Sequence, residues 1–103
     1  MSPSWGAAAC DVFSNTPYGY NSGGPRVGGD AGRSGCVSTV NLRSDLKYDR
    51  ALSPDPVIGY KSGTVTNVTW FVNASCTGTR TYYIDTSSSS GQYSTSYRRT
   101  ITC

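Results

Sequence analysis

A chain of 103 residues with 36% hydrophobic residues and a formal charge of +3 has room for one core, and its cations are too few and too dispersed to demand a nucleic-acid partner. Histidine and glutamate are both absent, which removes Ser-His-Asp and Cys-His catalysis and leaves any carboxylate pair to be built from aspartate alone. No stretch approaches the roughly 20 apolar residues of a membrane-spanning helix, and eight Tyr among abundant Ser and Thr favour strands and turns.

Residues 1–9 carry Pro3 and small side chains and read as an extended N-terminal arm. No apolar run precedes Ala7-Ala8-Ala9-Cys10, so a signal-cleavage reading fails and residues 10–103 read as one mature domain. Trp5 is the exception on this arm, a large apolar side chain suited to anchoring in a partner's pocket. A short strand is predicted over residues 10–14, then a long loop over 15–35 dense in Gly, Pro and Asn. A loop of that length is uncommon unless functional or tied down. Its run from Gly23 to Gly32 lacks the following helix and the lysine of a phosphate loop, and reads as a disulfide-bounded surface loop. Tyr18 and Tyr20 sit there beside Asn and Gly, the mixture in which Tyr supplies rigid contact area at low entropic cost. Together with Arg26 from the same loop and Trp5, they are the candidate partner-binding residues. Most other tyrosines read as half-buried strand residues.

From Cys36 the chain alternates: Cys36, Ser38, Val40 and Leu42 share one face, Thr39, Asn41 and Arg43 the other. Residues 45–56 are expected to form a polar connection ending in Ser53-Pro54-Asp55-Pro56. Asp45, Asp49 and Asp55 within it fit no EF-hand spacing and read as turn and capping residues. Ser44-Asp45-Leu46-Lys47 matches S-x-x-K, but that nucleophile pattern needs a helix and two further motifs that the chain lacks. A short strand is predicted over 57–61, broken by Ser62-Gly63. The best strand runs over 64–76, with Val68, Trp70, Val72, Ala74 and Cys76 on one face and Thr69, Phe71, Asn73 and Ser75 on the other. The glycosylation sequons at Asn67 and Asn73 fall opposite Trp70. A strand over 79–86, a serine-rich hairpin loop over 87–91 and a last strand over 92–103 complete the chain. The last strand groups Tyr93, Thr95, Tyr97, Arg99, Ile101 and Cys103 on one face.

Six or seven such strands and no helix define an all-β fold, an antiparallel sandwich or partly closed barrel. Cys10, Cys36, Cys76 and Cys103 lack the close spacing and His partners of a metal site, so two disulfides are expected. Of three possible pairings, Cys10–Cys36 and Cys76–Cys103 are preferred because each joins neighbouring segments. Each would contribute about 3–4 kcal/mol through loop closure, and both imply an oxidising compartment and a secreted protein.

The order of a first Cys, a Gly-rich loop, Gly35-Cys36, an Asp-containing turn, Ser75-Cys76-Thr77-Gly78 and a terminal Cys103 resembles small secreted proteins of actinomycetes. It is similar to the layout of the tendamistat-like α-amylase inhibitors, which are six-stranded, two-disulfide sandwiches. Where they carry an inhibitory Trp-Arg-Tyr triplet, this chain has Pro17-Tyr18-Gly19-Tyr20. It also resembles the small adaptor subunits of Streptomyces umbrella-toxin particles, which link a lectin-like subunit to a larger ring protein. The resemblance implies a secreted module that binds another secreted protein, as an adaptor in a toxin-type assembly or as an enzyme inhibitor. Glycan binding through exposed Tyr and Trp is the alternative. No catalysis, cofactor, metal, nucleic acid or membrane is expected, and the oligomeric state is left open.

Overall fold

The computed structural model describes residues 10–103, and those residues form nine strands. They are β1 (Asp11–Ser14), β2 (Tyr18–Asn21), β3 (Pro25–Ser34), β4 (Val40–Tyr48), β5 (Val57–Val65), β6 (Val68–Ser75), β7 (Thr79–Ser88), β8 (Tyr93–Thr95) and β9 (Arg99–Thr102). The arm and Trp5 lie outside the described residues. In the first sheet β3 is central, with β6 along one edge and β1 and β2 end to end along the other. In the second, β5 pairs with β4, β4 with β7, and β8 and β9 lie end to end along β7. All pairings are antiparallel, and the two sheets face each other without closing into one ladder. The fold is a sandwich, not a barrel.

Strict alternation builds the core. On β4, Val40, Leu42, Ser44 and Leu46 are buried while Asn41 and Arg43 are exposed. On β6, Val72 and Ala74 point inward, and on β7 Tyr82, Ile84 and Thr86 do so. Val27, Ala31, Leu46, Val72, Ala74, Tyr82 and Ile84 form the main cluster, with Trp70, Ile58 and Ile101 packed against it. Each fully buried aliphatic side chain contributes about 1.5–3 kcal/mol.

The expected loop over 15–35 is the largest correction, because most of it is sheet. β3 runs through the glycine-rich stretch and is hydrogen-bonded along both edges, with Val27, Gly28, Gly29, Ala31, Gly32 and Arg33 all buried. Glycine serves close approach here: a Cβ at Gly28 would stand 2.6 Å from Phe71 Cζ, and one at Gly32 would collide with the Val68 carbonyl oxygen. The turn is shorter than expected, with Ser22 N–H donating to Gly24 O at 2.9 Å.

Other boundaries shift for related reasons. Residues 45–48 continue β4 instead of opening a connection, since Leu46 completes the inward alternation. Ser62-Gly63 does not break β5, which pairs with β4 up to Val65. The expected strand over 64–76 is interrupted after Val65, where the chain turns from the second sheet into the first. The expected final strand is divided into β8 and β9, with Ser96 inward and Tyr93 and Tyr97 outward. Ser96 Oγ accepts the Ile84 amide at 2.9 Å, while Ile84 O accepts the Ser96 amide at 2.8 Å, and this pair holds the division in place.

The disulfides are the expected ones. Cys10–Cys36 has a Cα–Cα distance of 4.5 Å and joins the ends of β1 and β3 within the first sheet. Cys76–Cys103, with Cα–Cα 5.9 Å, follows β6 and β9 and so bridges the two sheets. The corner between β1 and β8 is stitched by Gln92 Nε2 donating to Cys10 O at 2.8 Å and Ser14 Oγ donating to Ser94 O at 2.9 Å.

Candidate functional site

The register of the first sheet puts three of the four candidate partner-binding residues on its outer face. Tyr18 pairs with Gly28 and Tyr20 with Arg26, while Gly28 pairs with Asn73 and Arg26 with Ser75 across the other edge of β3. Paired residues of antiparallel strands project to the same side. Tyr18, Tyr20, Arg26, Asn73 and Ser75 therefore share one surface.

Phe71 completes it, and the sequence reading had not assigned it a role. Its ring lies 5.5 Å from Tyr20, edge-on, and 6.1 Å from Tyr18, while Tyr18 and Tyr20 are 6.0 Å apart. These separations fall in the favourable range for tilted aromatic pairs. The three rings form a platform over Gly28, whose missing side chain makes space for Phe71. The available signal was the position of Phe71 on the face opposite Trp70, where a large apolar residue has no core to enter. Tyr18 remains 46% exposed, so the platform is open to a ligand.

Arg26 is anchored at the rim: Nη2 donates to Asn73 Oδ1 at 2.5 Å and Nη1 to Ser75 Oγ at 3.5 Å. Both partners are neutral, so the guanidinium keeps its charge for an incoming acceptor. Beside it, Tyr20 and Arg26 line a groove of about 440 Å³ that runs to Ile101 and the Cys76–Cys103 bridge. An apolar, tilted-ring centre with a fixed arginine at its edge has the composition of a protein-interface anchor.

The remaining sequence motifs take structural roles. In S-x-x-K the residues lie three apart on a strand, so Ser44 points into the core while Lys47 points outward to Asp85 at 3.0 Å. Ser44 Oγ accepts the Trp70 indole N–H at 2.9 Å and lies 2.8 Å from Thr86 Oγ1. Asp45, Asp49 and Asp55 do not converge: Asp45 pairs with Arg43 at 2.6 Å, Asp49 with Arg98 at 2.9 Å, and Asp55 accepts the Tyr83 hydroxyl. Among the described residues no group of three His, Cys, Asp or Glu is placed to hold a metal ion. The Asn67 amide is committed, accepting from Cys36 N–H and donating to Cys36 O, both at 2.9 Å.

A second ordered cluster braces the β4–β5 turn. The Tyr83 hydroxyl and the Arg50 amide both donate to Asp55 and hold its carboxyl below the usual range. Burial, and then the hydrogen bond to Asp55, pushes the Tyr83 phenol well above its ordinary value. The Arg98 guanidinium covers the Tyr83 ring at 4.1 Å.

Fold and site together define a two-disulfide β-sandwich with an aromatic platform on one outer face. Comparison with protein-family models, curated proteins and solved structures found no match to the chain.

Proposed function

We propose that the chain is a secreted, non-catalytic protein-binding module, working as an adaptor in an extracellular assembly or as an enzyme inhibitor. The observation that carries this reading is the Tyr18–Tyr20–Phe71 platform with Arg26 held at its rim. Three aromatic rings already fixed against one another lose little freedom on binding, and Arg26 is similarly pre-positioned. Tyr and Arg dominate interface hot spots for these reasons. Two disulfides on a domain of this size suit an oxidising, extracellular setting.

The test is affinity capture from the producing organism's culture supernatant, with the wild-type chain and the Tyr18→Ala/Tyr20→Ala variant as parallel baits. A partner held by the first and lost by the second supports the reading, provided both show the same thermal transition. Equal recovery by both baits would remove the platform from the interface. Deleting residues 1–8 separates the two versions: an adaptor that docks through Trp5 loses its partner, whereas an inhibitor acting through the Tyr18–Tyr20 face keeps its target.

A further inference from the structure

On the opposite side of the sandwich, the outer face of the second sheet is polar, tyrosine-rimmed and unused by the reading above. Strand register sets its rows. Ser62, Arg43, Ser87 and Tyr93 lie side by side across β5, β4, β7 and β8, and Tyr60, Asp45, Asp85 and Thr95 form the next row. Tyr60 stands at one margin and Tyr93 at the other, three interstrand spacings (about 14 Å) apart across the sheet and one row apart along the strands. Across this face run two adjoining grooves of about 470 and 240 Å³ that share Ser87; Tyr93 lines the smaller, and Tyr60 stands beside the larger, against its lining residue Arg43.

The floor fixes what kind of ligand fits. Arg43 and Lys47 are balanced by Asp45 and Asp85 through contacts of 2.6 and 3.0 Å, so the floor carries no net charge to attract a polyanion. Charged residues are depleted from protein-interface centres, and paired charges here would have to be desolvated against a protein. What remains suits a neutral molecule rich in hydroxyls, each able to donate and accept. Arg43 commits Nε to Asp45, leaving its two Nη groups, and the Ser62 and Ser87 hydroxyls flank it. One side of Tyr60 is stacked by the Arg43 guanidinium at 4.2 Å, yet the residue is 58% exposed, and Tyr93 is 79% exposed. Exposed rings at the two margins of a hydroxyl-binding floor, one of them backed by Arg43, suit the C–H faces and hydroxyl edges of a pyranose chain. The grooves cross the sheet from β5 to β8, which favours a linear chain over a compact branched glycan.

We infer that this face is a binding site for a linear, uncharged polysaccharide, with Tyr60 and Tyr93 stacking on sugar rings and Arg43, Ser62 and Ser87 bonding their hydroxyls. The site is independent of the platform, and a chain using both would hold a protein partner on a polysaccharide surface.

The experiment measures retention of the full chain on cellulose, chitin, starch and xylan, with the high-mannose glycoprotein ribonuclease B as a separate arm. Retention on at least one polysaccharide, competed by its own hexasaccharide and weakened tenfold or more by Tyr60→Ala or Tyr93→Ala, is the expected result. Both tyrosines are exposed, so the variants should fold; Ser87→Arg, which fills the shared floor, gives a second loss-of-binding variant. Tyr18→Ala must leave retention unchanged. No retention on any of the four polymers, retention indifferent to all three second-sheet variants, or binding to the glycoprotein alone overturns the proposal. Loss of protein capture by Tyr18→Ala/Tyr20→Ala with retention intact keeps the two sites separate.

Discussion

Phe71 lies across Gly28 so closely that a methyl group on the glycine would stand 2.6 Å from its Cζ and 2.7 Å from the Val72 carbonyl oxygen. The platform and the central strand beneath it are thus one packing unit. Gly28→Ala forces the ring or the β6 backbone to move and should cost about 1–3 kcal/mol, the usual range for overpacking. In a Phe71→Ala background the cost should fall but not vanish, because the Val72 carbonyl still obstructs. Urea unfolding of the four chains, disulfides intact, gives the coupling. An equal cost in both backgrounds would mean that the ring yields freely and the platform is not fixed.

A chain of hydrogen bonds crosses the core. Trp70 Nε1 donates to Ser44 Oγ at 2.9 Å, Ser44 and Thr86 are 2.8 Å apart, and Ser14 Oγ lies 2.8 Å from Thr86 Oγ1. Four strands, two from each sheet, meet in these bonds, and slipping one strand by a residue would break them. Ser44→Ala leaves the Trp70 N–H without its acceptor and should destabilise by about 1–3 kcal/mol. Thr86→Val should cost a similar amount. The double variant should cost less than the sum, since both changes break the same bond. Additive losses would show that the hydroxyls act separately.

How much of this was legible depends on where side-chain periodicity speaks. The inward faces of β4 and β6 could be read directly, because Val40, Leu42, Val72 and Ala74 alternate with polar residues, whereas on β7 Tyr82 and Ile84 flank Tyr83, which is buried as well. The pairing of Cys10 with Cys36 and of Cys76 with Cys103 followed from neighbouring segments. β3 was illegible: glycine has no side chain to alternate, and what makes Gly28 and Gly32 strand residues is the atoms of β6 that press on them, some 40 residues away in sequence. Tyr18, Tyr20 and Arg26 were readable as residue types, yet their convergence with Phe71 exists only through β3. The division of the last strand at Ser96 was hidden for a different reason. The apolar alternation of Tyr93, Tyr97 and Ile101 masked the inward serine that bonds Ile84.

The brace around Tyr83 makes stability depend on pH at both extremes. Asp55 has its carboxyl held below its ordinary value of 3.8 by bonds from Tyr83 and the Arg50 amide. The unfolded chain therefore takes up this proton first as pH falls. Its contribution is complete above about pH 5 and is lost as pH drops through the folded-state value. The Tyr83 phenol is shifted upward from 10.0 by burial and by Asp55. Here the unfolded chain releases the proton first, so stability declines as pH rises above about 10. Asp55→Asn should lower stability at neutral pH and flatten the acid decline. In an ultraviolet titration of tyrosine ionisation, Tyr83 should ionise only as the chain unfolds, and Tyr83→Phe should remove that step. A Tyr83 that titrates with the exposed tyrosines of the folded chain would rule out the brace.

At the tip of the braced turn, Leu52 has φ 62° and is fully exposed at 106%. It is the one described non-glycine residue with positive φ, a conformation that costs an L-residue about 1–2 kcal/mol. No burial offsets that cost. Leu52→Gly should relieve the strain while losing about 0.5–1 kcal/mol to the greater freedom of the unfolded chain, so a net gain between zero and about 1.5 kcal/mol is expected. Leu52→Ala keeps the strain and should leave stability within about 0.5 kcal/mol, as surface substitutions do. Thermal unfolding of the three chains decides it, and a Leu52→Gly variant less stable than wild type contradicts the strain. A gain would show that leucine here works against the fold. Residues held in strained backbone cluster at functional sites, so the same variants belong in the partner-capture assay. Loss of partner with a more stable Leu52→Gly chain would extend the protein contact from the Tyr18–Tyr20 platform to this tip.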